Sequence, residues 1–230
     1  MESSKLVQLP TELIQTILSA LSDISSLRSA ALTCRYLYDC LKGFETEITK
    51  SVLLQHLNPA LLHDAVATRE SAQRATWSEE EAGEFLARYL DPRQPLRPSS
   101  WTLSEALPLA QLYNSVRFWA TRWTSKVLAQ HPLSRQPEPN PRPISLSERT
   151  RFERALYRFE IYCNMFRKED DQPFSLNERF FFRFSPWEHE QLACVNDYFV
   201  DVVYPGNDSR ILLLSLPASF LFLNVCTCFD

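Results

Sequence analysis

The chain has 230 residues, of which 45% are hydrophobic and 23% charged, and its formal net charge is −4. This composition is typical of a soluble globular protein, and the negative charge provides no global field that would attract nucleic acid or an anionic membrane. The three glycines, Gly43, Gly83 and Gly206, cannot form either of the common glycine-rich phosphate-binding motifs, which argues against the common nucleotide-binding enzymes.

Two amphipathic helical patterns lie at the start of the chain, between Leu6 and Leu41. The first follows the Leu9-Pro10 pair and has apolar residues at Leu13, Ile14, Ile17, Leu18 and Leu21. The second has apolar residues at Leu27, Ala30, Ala31, Cys34, Leu37, Tyr38 and Leu41. A segment this short cannot bury so much apolar surface by itself, so the pattern predicts a docking module rather than a catalyst.

The same segment resembles the F-box proteins, whose pattern is a Leu-Pro pair, an aliphatic helix, and a second helix ending in a small residue followed by Arg. The matching residues are Leu9, Pro10, Glu12, Leu13, Ile14, Ile17, Leu18, Leu21, Leu27, Leu32, Cys34 and Arg35. Leu37 departs from the pattern, because many F-boxes carry Trp at that position. Segments 153–166 and 184–199 also look like parts of uncharacterised filamentous-fungal F-box proteins.

The resemblance implies an all-α fold, in which an N-terminal F-box-like helical module at 5–57 is followed by an irregular helical domain. It also implies a non-catalytic substrate receptor that docks on the Skp-type adaptor, and through it on the cullin scaffold, of a ubiquitin ligase, with an unknown protein substrate. The adaptor-binding residues that it implies are Leu9, Pro10, Leu13, Ile14, Ile17, Leu18, Leu27, Cys34, Arg35 and Leu37.

Three alternatives to the receptor interpretation stay open. The opening segment is also compatible with an ordinary helical hairpin that packs on the helices after it. A second alternative is that the whole chain is a helical scaffold or regulatory protein with a vestigial F-box, outside any ligase. A third possibility, a tail-anchored membrane protein, depends on the C-terminal residues.

Further helical patterns follow the opening segment. Two short ones cover 47–57 and 60–71, and Ser78 and Glu81 have the spacing of a capping box that starts a third. After a proline-containing connection, a stripe at helical spacing predicts a longer helix through Leu112, Val116, Trp119, Trp123 and Val127. We therefore expect a helical region over 58–130.

A proline-rich segment at 131–146 is typical of an extended linker. A C-terminal helical region is expected after it, over 147–204. Within that region Ser185 and Glu188 have the spacing of a capping box around Pro186 at the first helical position. The helix that begins there has on one side Trp187, Gln191, Cys194, Val195, Tyr198 and Val202.

Candidate catalytic and metal-binding residues are few. His189 and Glu190 begin a near match to the zinc-protease motif H-E-x-x-H, but Ala193 stands where the second histidine is needed. The six cysteines include no C-x-x-C pair, and Cys226 and Cys228 have neither a second pair nor a nearby histidine. We therefore predict no enzyme activity, no metal site and no cofactor.

A row of three arginines, Arg151, Arg154 and Arg158, lies beside aromatic residues, a combination that can bind a nucleic-acid backbone. Glu153 and Glu160 lie among them, however, and alternating charge of this kind favours a mixed, solvated face. Nucleic acid is therefore not expected to be a partner.

The C-terminal tail, 205–230, differs in composition from the rest of the chain, because 211–229 is almost unbroken apolar sequence. As a helix this stretch would span about 28 Å, enough for a membrane anchor, although Pro217 and Asn224 oppose that interpretation. A buried terminal element and a non-native end are the alternatives. The opening residues lack the apolar stretch of a secretory signal, which predicts a cytoplasmic or nuclear protein with free thiols.

Overall fold

A computed structural model describes residues 8–74, 76–130, 134, 136–166 and 174–203. Within these residues the chain forms α-helices and no named β-strand, with one isolated bridge between Gln130 and Pro137, and the all-α prediction is confirmed. The helices are α1 (Thr11–Ser19), α2 (Ile24–Thr33), α3 (Arg35–Gly43), α4 (Glu45–His56), α5 (Leu62–Ala72), α6 (Glu79–Tyr89), α7 (Leu103–Leu128), α8 (Leu146–Phe166), α9 (Phe174–Phe181) and α10 (Pro186–Val203).

The described residues divide into two compact units. The first unit comprises residues 8–62 together with 97–113, and the second comprises 63–96 together with 114–203. The division falls within α7, so the first unit takes its last segment from the N-terminal part of that helix.

The core of the first unit is formed by one face of each of its helices. Asp23 starts α2 as its N-cap, accepting a hydrogen bond from the backbone N–H of Ser26 at 2.8 Å. Helices α1 to α4 then bury an apolar set that consists of Ile14, Leu18, Ile24, Leu27, Leu37, Leu41, Ile48, Val52 and Leu53. The 97–113 segment adds the buried side chains of Ala106, Leu109 and Leu112. The start of α7 is also bonded to α4, since the N–H of Leu103 donates to the Glu45 carboxylate at 3.0 Å.

The second unit surrounds α8 with apolar and aromatic side chains. The predicted capping box of Ser78 and Glu81 is confirmed at the start of α6. A second capping box, which the sequence interpretation missed, starts α8, where Ser145 and Glu148 exchange the same pair of hydrogen bonds. Large side chains that are fully or almost fully buried in this unit are Phe85, Tyr157, Phe159, Phe180, Val195 and Phe199.

The expectation of a solvated face on α8 was wrong. Glu153 and Glu160 are 1% and 2% exposed, because α8 is covered on more than one side by the other helices of its unit. Burial raises the pKa of Glu153 above its usual value, and the positive charges of Arg149 and Arg117 oppose this rise only in part. Of the three arginines only Arg151 is exposed, whereas Arg154 and Arg158 form ion pairs with Asp64 and Glu188.

Within the described ranges no helix is both long and apolar enough to cross a membrane. The tail at 205–230, with its apolar stretch 211–229, lies outside the described residues, as do Cys226, Cys228 and part of the 131–146 segment. The domain boundaries expected from the sequence stay predictions.

Candidate docking surface

The first unit presents exposed apolar side chains on three of its helices and at one junction. On α1 they are Leu13 and Ile17, which are 50% and 43% exposed and lie one helical turn apart. The others are Leu32 near the end of α2, Tyr38 on α3, and Phe44 between α3 and α4, which are 69%, 40% and 53% exposed. Large apolar residues scattered singly on a surface are common, but the pair on α1 forms a stripe beside the buried Ile14 and Leu18.

The ten residues that the resemblance implied for adaptor binding fall into three groups in the structure. Pro10, Leu13, Ile17 and Arg35 are exposed, and Leu9 and Cys34 are half-buried. The remaining four are buried within the unit, and they are Ile14, Leu18, Leu27 and Leu37. A buried side chain supports a surface from beneath and offers a partner no atoms, so the first two groups are the ones available for contact.

A hydrogen bond joins the Leu9-Pro10 corner to α3. The phenol of Tyr36 donates to the backbone carbonyl of Leu9 with an oxygen–oxygen distance of 2.6 Å. A second link between neighbouring helices is the side-chain amide of Gln15, which donates to the carbonyl of Cys40 on α3 at 3.3 Å. Together these bonds fix α1 against α3 and hold Leu13 and Ile17 at a defined position.

The far end of α1 is bonded to α4 by polar side chains. The amide of Gln55 donates to the carbonyl of Ser19 at 3.0 Å, which satisfies a helix-terminal carbonyl that has no partner within α1. The Ser51 hydroxyl approaches the same carbonyl at 3.4 Å. Both ends of α1 are therefore tied to other helices of the unit.

Two carboxylates next to these helices have a shifted pKa. The backbone N–H and the hydroxyl of Ser26 hold the pKa of Asp23 below its ordinary value, which keeps the N-cap of α2 ionised. Burial opposes ionisation of Glu45, but Lys42, at 2.7 Å, and the N–H of Leu103 outweigh it and lower the Glu45 pKa. Both groups secure helix starts.

The candidate catalytic residue His189 has a structural contact. Its Nε2 is 2.8 Å from the carbonyl of Phe181, so this nitrogen donates, and its ring meets the Phe181 ring edge-on at 5.5 Å. Among the described residues no group of three His, Cys, Asp or Glu side chains could hold a metal ion. Cys34, Cys40, Cys163 and Cys194 are free thiols.

Sequence reasoning missed two features of this surface. The apolar spacing gives Tyr36 no role, although a tyrosine beside a helix start signals a side chain that needs a hydrogen-bond partner. Phe44 breaks the apolar spacing because it stands between two helices, and periodicity alone gives no indication of its exposure.

A family model described as F-box-like matches residues 6–44. The segment that carries α1, α2 and α3 is therefore an F-box-like domain, which confirms the resemblance of the opening stretch. Comparison with curated proteins and with solved structures gives no match. The similarity of 153–166 and 184–199 to fungal F-box proteins stays a prediction.

Proposed function

We propose that this protein is a non-catalytic substrate receptor, which docks through its F-box-like domain on the Skp-type adaptor of a cullin-based ubiquitin ligase. The observation that carries the proposal is the coincidence of the family match at 6–44 with an exposed apolar pair on α1, Leu13 and Ile17. Such a receptor carries out no chemistry itself. It holds a substrate near the ubiquitin-carrying enzyme and so raises the effective concentration of the substrate at that enzyme.

The proposed contact surface is narrower than the set implied by the family pattern. It consists of the exposed and half-buried residues Leu9, Pro10, Leu13, Ile17, Cys34 and Arg35. Ile14, Leu18, Leu27 and Leu37 keep the helices in place behind it. The Tyr36–Leu9 hydrogen bond contributes in the same way, since it fixes the corner from which α1 starts.

The test is a binding measurement between the purified full chain and a Skp-type adaptor, by isothermal titration calorimetry. We expect Leu13→Glu and Ile17→Glu each to weaken binding by about tenfold or more, because each removes an apolar contact and brings a charge into the interface. Both positions are exposed in the free protein, so thermal unfolding of the variants should stay close to that of the wild type. Substitution of the buried Ile14 would not separate binding from folding.

Phe182→Glu is the matched control, because Phe182 is 80% exposed and lies in the second unit. It should leave adaptor binding unchanged. If the wild type does not bind the adaptor, the receptor function fails and the helical scaffold with a vestigial F-box takes its place. If the wild type binds and both α1 variants bind equally well, the assigned surface is wrong although the function stands.

A further inference from the structure

A cleft in the second unit lies between α7, the segment that follows it, α8 and α10. Its volume is about 1080 Å³, slightly above the range of about 300–1,000 Å³ that is usual for small-molecule sites. Aromatic rings line it: Tyr198 stacks on Trp123 at 5.5 Å, and Phe152 meets Trp123 edge-on at 4.7 Å. We call this space the α10 cleft, and it is large enough for several side chains of a peptide.

One large aromatic side chain at the cleft is exposed to solvent. Trp187 lies in the first turn of α10 and is 78% exposed, although it lines the cleft. The backbone around it is held firmly, because Glu188 accepts from the N–H of Ser185 at 2.8 Å and from Arg158 at 2.6 Å. An exposed tryptophan at a fixed position beside a cleft is typical of the residues that dominate binding energy at protein interfaces.

The wall formed by α10 also carries negative charge without a counterion. Glu190 and Asp197 line the cleft seven residues apart, which places them on one face of the helix two turns from each other. In the part of the chain that the structure describes, neither carboxylate forms an ion pair, whereas the Glu188 carboxylate is paired with Arg158. Cys194 lies between them on the helix. Burial raises the pKa of its thiol, and the negative charges of Glu190 and Asp197 raise it further.

The other charged groups of the cleft offset only half of this negative charge, through Lys126. Glu148 and Arg142 are paired with each other, and Lys126 lies 5.8 Å from the centre of the Tyr198 ring. Glu138 and Arg151 complete the set and have opposite charges. The surface of α10 that faces the cleft is therefore apolar at Trp187 and acidic along the following two turns.

We propose that the α10 cleft binds a basic amphipathic segment of a partner protein. Apolar side chains of the segment pack against Trp187 and the rings of the cleft, and lysine or arginine residues two turns apart meet Glu190 and Asp197. This inference rests on the proposed function, because such a partner would be the substrate that the receptor holds. It specifies the class of substrate as one with an exposed basic helix.

The test uses two fluorescently labelled synthetic peptides of about 14 residues, four helical turns, with leucine on one face. One has lysine beside the leucine stripe, and its acidic twin has glutamate at the same positions. Fluorescence anisotropy with the full chain at low salt should show binding of the basic peptide about tenfold or more tighter than binding of the acidic one. Trp187→Ala should weaken binding of the basic peptide by about tenfold or more. The double variant Glu190→Lys with Asp197→Lys should bind the basic peptide no more tightly than the acidic one.

Two control variants separate the cleft from general effects. Glu80→Lys with Glu84→Lys changes the net charge by the same amount at exposed positions of α6, and should leave the preference for the basic peptide largely intact. Phe182→Ala removes an exposed aromatic ring elsewhere in the same unit and should have no effect. Equal affinity of the wild type for both peptides would overturn the proposal. It would also be overturned if the α6 variant lost the preference for the basic peptide to the same extent as the α10 charge variant.

Self-association of the wild type that disappears in Trp187→Ala, measured by analytical ultracentrifugation, would also overturn it, because the occupant would then be a second copy of the chain. Adaptor binding is measured in parallel for every variant. The cleft variants should keep it, since the cleft lies wholly within the second unit. Peptide binding without adaptor binding would support the cleft as a binding site and refute the receptor function. Adaptor binding without peptide binding would refute the proposed role of the cleft and support the receptor function.

Discussion

Glu188 shows how one side chain links a helix start to another helix. Burial opposes its ionisation, but the N–H of Ser185 and the guanidinium of Arg158 outweigh that effect and lower its pKa from 4.5 to about 2. Because the pKa is lower in the folded protein, the stabilisation is complete above pH 4.5 and is lost as the pH falls toward 2. Arg158 also lies over the ring of Phe184 at 4.4 Å, so the charged pair stands against an aromatic surface.

We expect Glu188→Gln to lower the free energy of unfolding at pH 7 by about 1–2 kcal/mol, allowing for partial exposure of the pair to solvent. Glutamine can still reach back to the N–H of Ser185, so the change removes the charge and keeps the cap. Urea denaturation from pH 7 to pH 2 would show the two proteins converging in acid. Glu190→Gln, at an exposed position of the same helix, is the control and should change neither the free energy of unfolding nor its pH dependence. If the free energies of wild type and Glu188→Gln differed by the same amount at all pH values, the stabilising role of the Glu188 charge would be contradicted.

At the scale of one element, α6 carries a glycine in its interior. A methyl group added at Gly83 would stand 3.3 Å from a terminal guanidinium nitrogen of Arg179, which is the far end of a flexible side chain and can move. Glycine within a helix costs about 1 kcal/mol relative to alanine.

Gly83→Ala is therefore expected to raise the free energy of unfolding by about 0.5–1 kcal/mol, with some of the gain lost to the shift of Arg179. The reverse change at an exposed position of the same helix, Ala87→Gly, should lower it by a similar amount. Chemical denaturation measures both. A destabilised Gly83→Ala protein would mean that Arg179 cannot move away from its position against α6.

Helix starts and helix type could be predicted from the sequence, because a capping box depends on residues three positions apart. The spacing of Ser78 and Glu81 predicts the start of α6 in this way. Ser145 and Glu148 have the same spacing, but they follow a proline-rich segment that is typical of a linker. Burial of Glu153 could not be predicted, since it depends on which helices cover α8.

The docking surface could be predicted only as a stripe. The spacing identified Leu13, Ile14, Ile17 and Leu18 as one apolar face of α1. Which edge of that face is covered depends on where α3 and α4 pack, and those contacts join residues distant in sequence. The structure leaves Leu13 and Ile17 exposed and buries the other two. The α10 cleft escaped prediction for the same reason. Of the residues that the spacing grouped on one side of α10, Trp187, Gln191, Cys194 and Tyr198 line the cleft, whereas Val195 is fully buried.

At the scale of the whole molecule, a buried polar network connects three helices of the second unit. The carboxylate of Asp64 on α5 is 4% exposed and accepts from the hydroxyl of Tyr89 on α6 at 3.0 Å. It also accepts from Arg154 on α8 at 3.3 Å. Burial, followed by the charge of Asp64, raises the pKa of Tyr89 well above 10.0, so the phenol keeps its proton and remains a donor.

Asp64→Asn is expected to lower the free energy of unfolding by about 2–3 kcal/mol, because it removes a buried charged acceptor of hydrogen bonds from Arg154 and Tyr89. The loss stays below that of a fully buried pair, since 32% of the Arg154 side chain is exposed. Asp39→Asn, which breaks the exposed pair with Arg35, should cost less than about 0.5 kcal/mol. Urea unfolding followed by tryptophan fluorescence distinguishes these values, and equal effects of the two substitutions would refute the structural role of Asp64.

The composition of the first unit has a consequence for how such a protein can evolve. The first unit is not continuous in the sequence: residues 97–113 belong to it together with the F-box-like domain, and the N–H of Leu103 donates to the Glu45 carboxylate across 58 positions of sequence. Recombination that moved only the first 57 residues onto another chain would separate Leu103 from Glu45 and Tyr113 from His56, whose rings meet edge-on at 5.2 Å. Inheritance of the first helices is thereby tied to inheritance of residues 97–113, and transfer of the first 57 residues alone is expected to give a less stable protein.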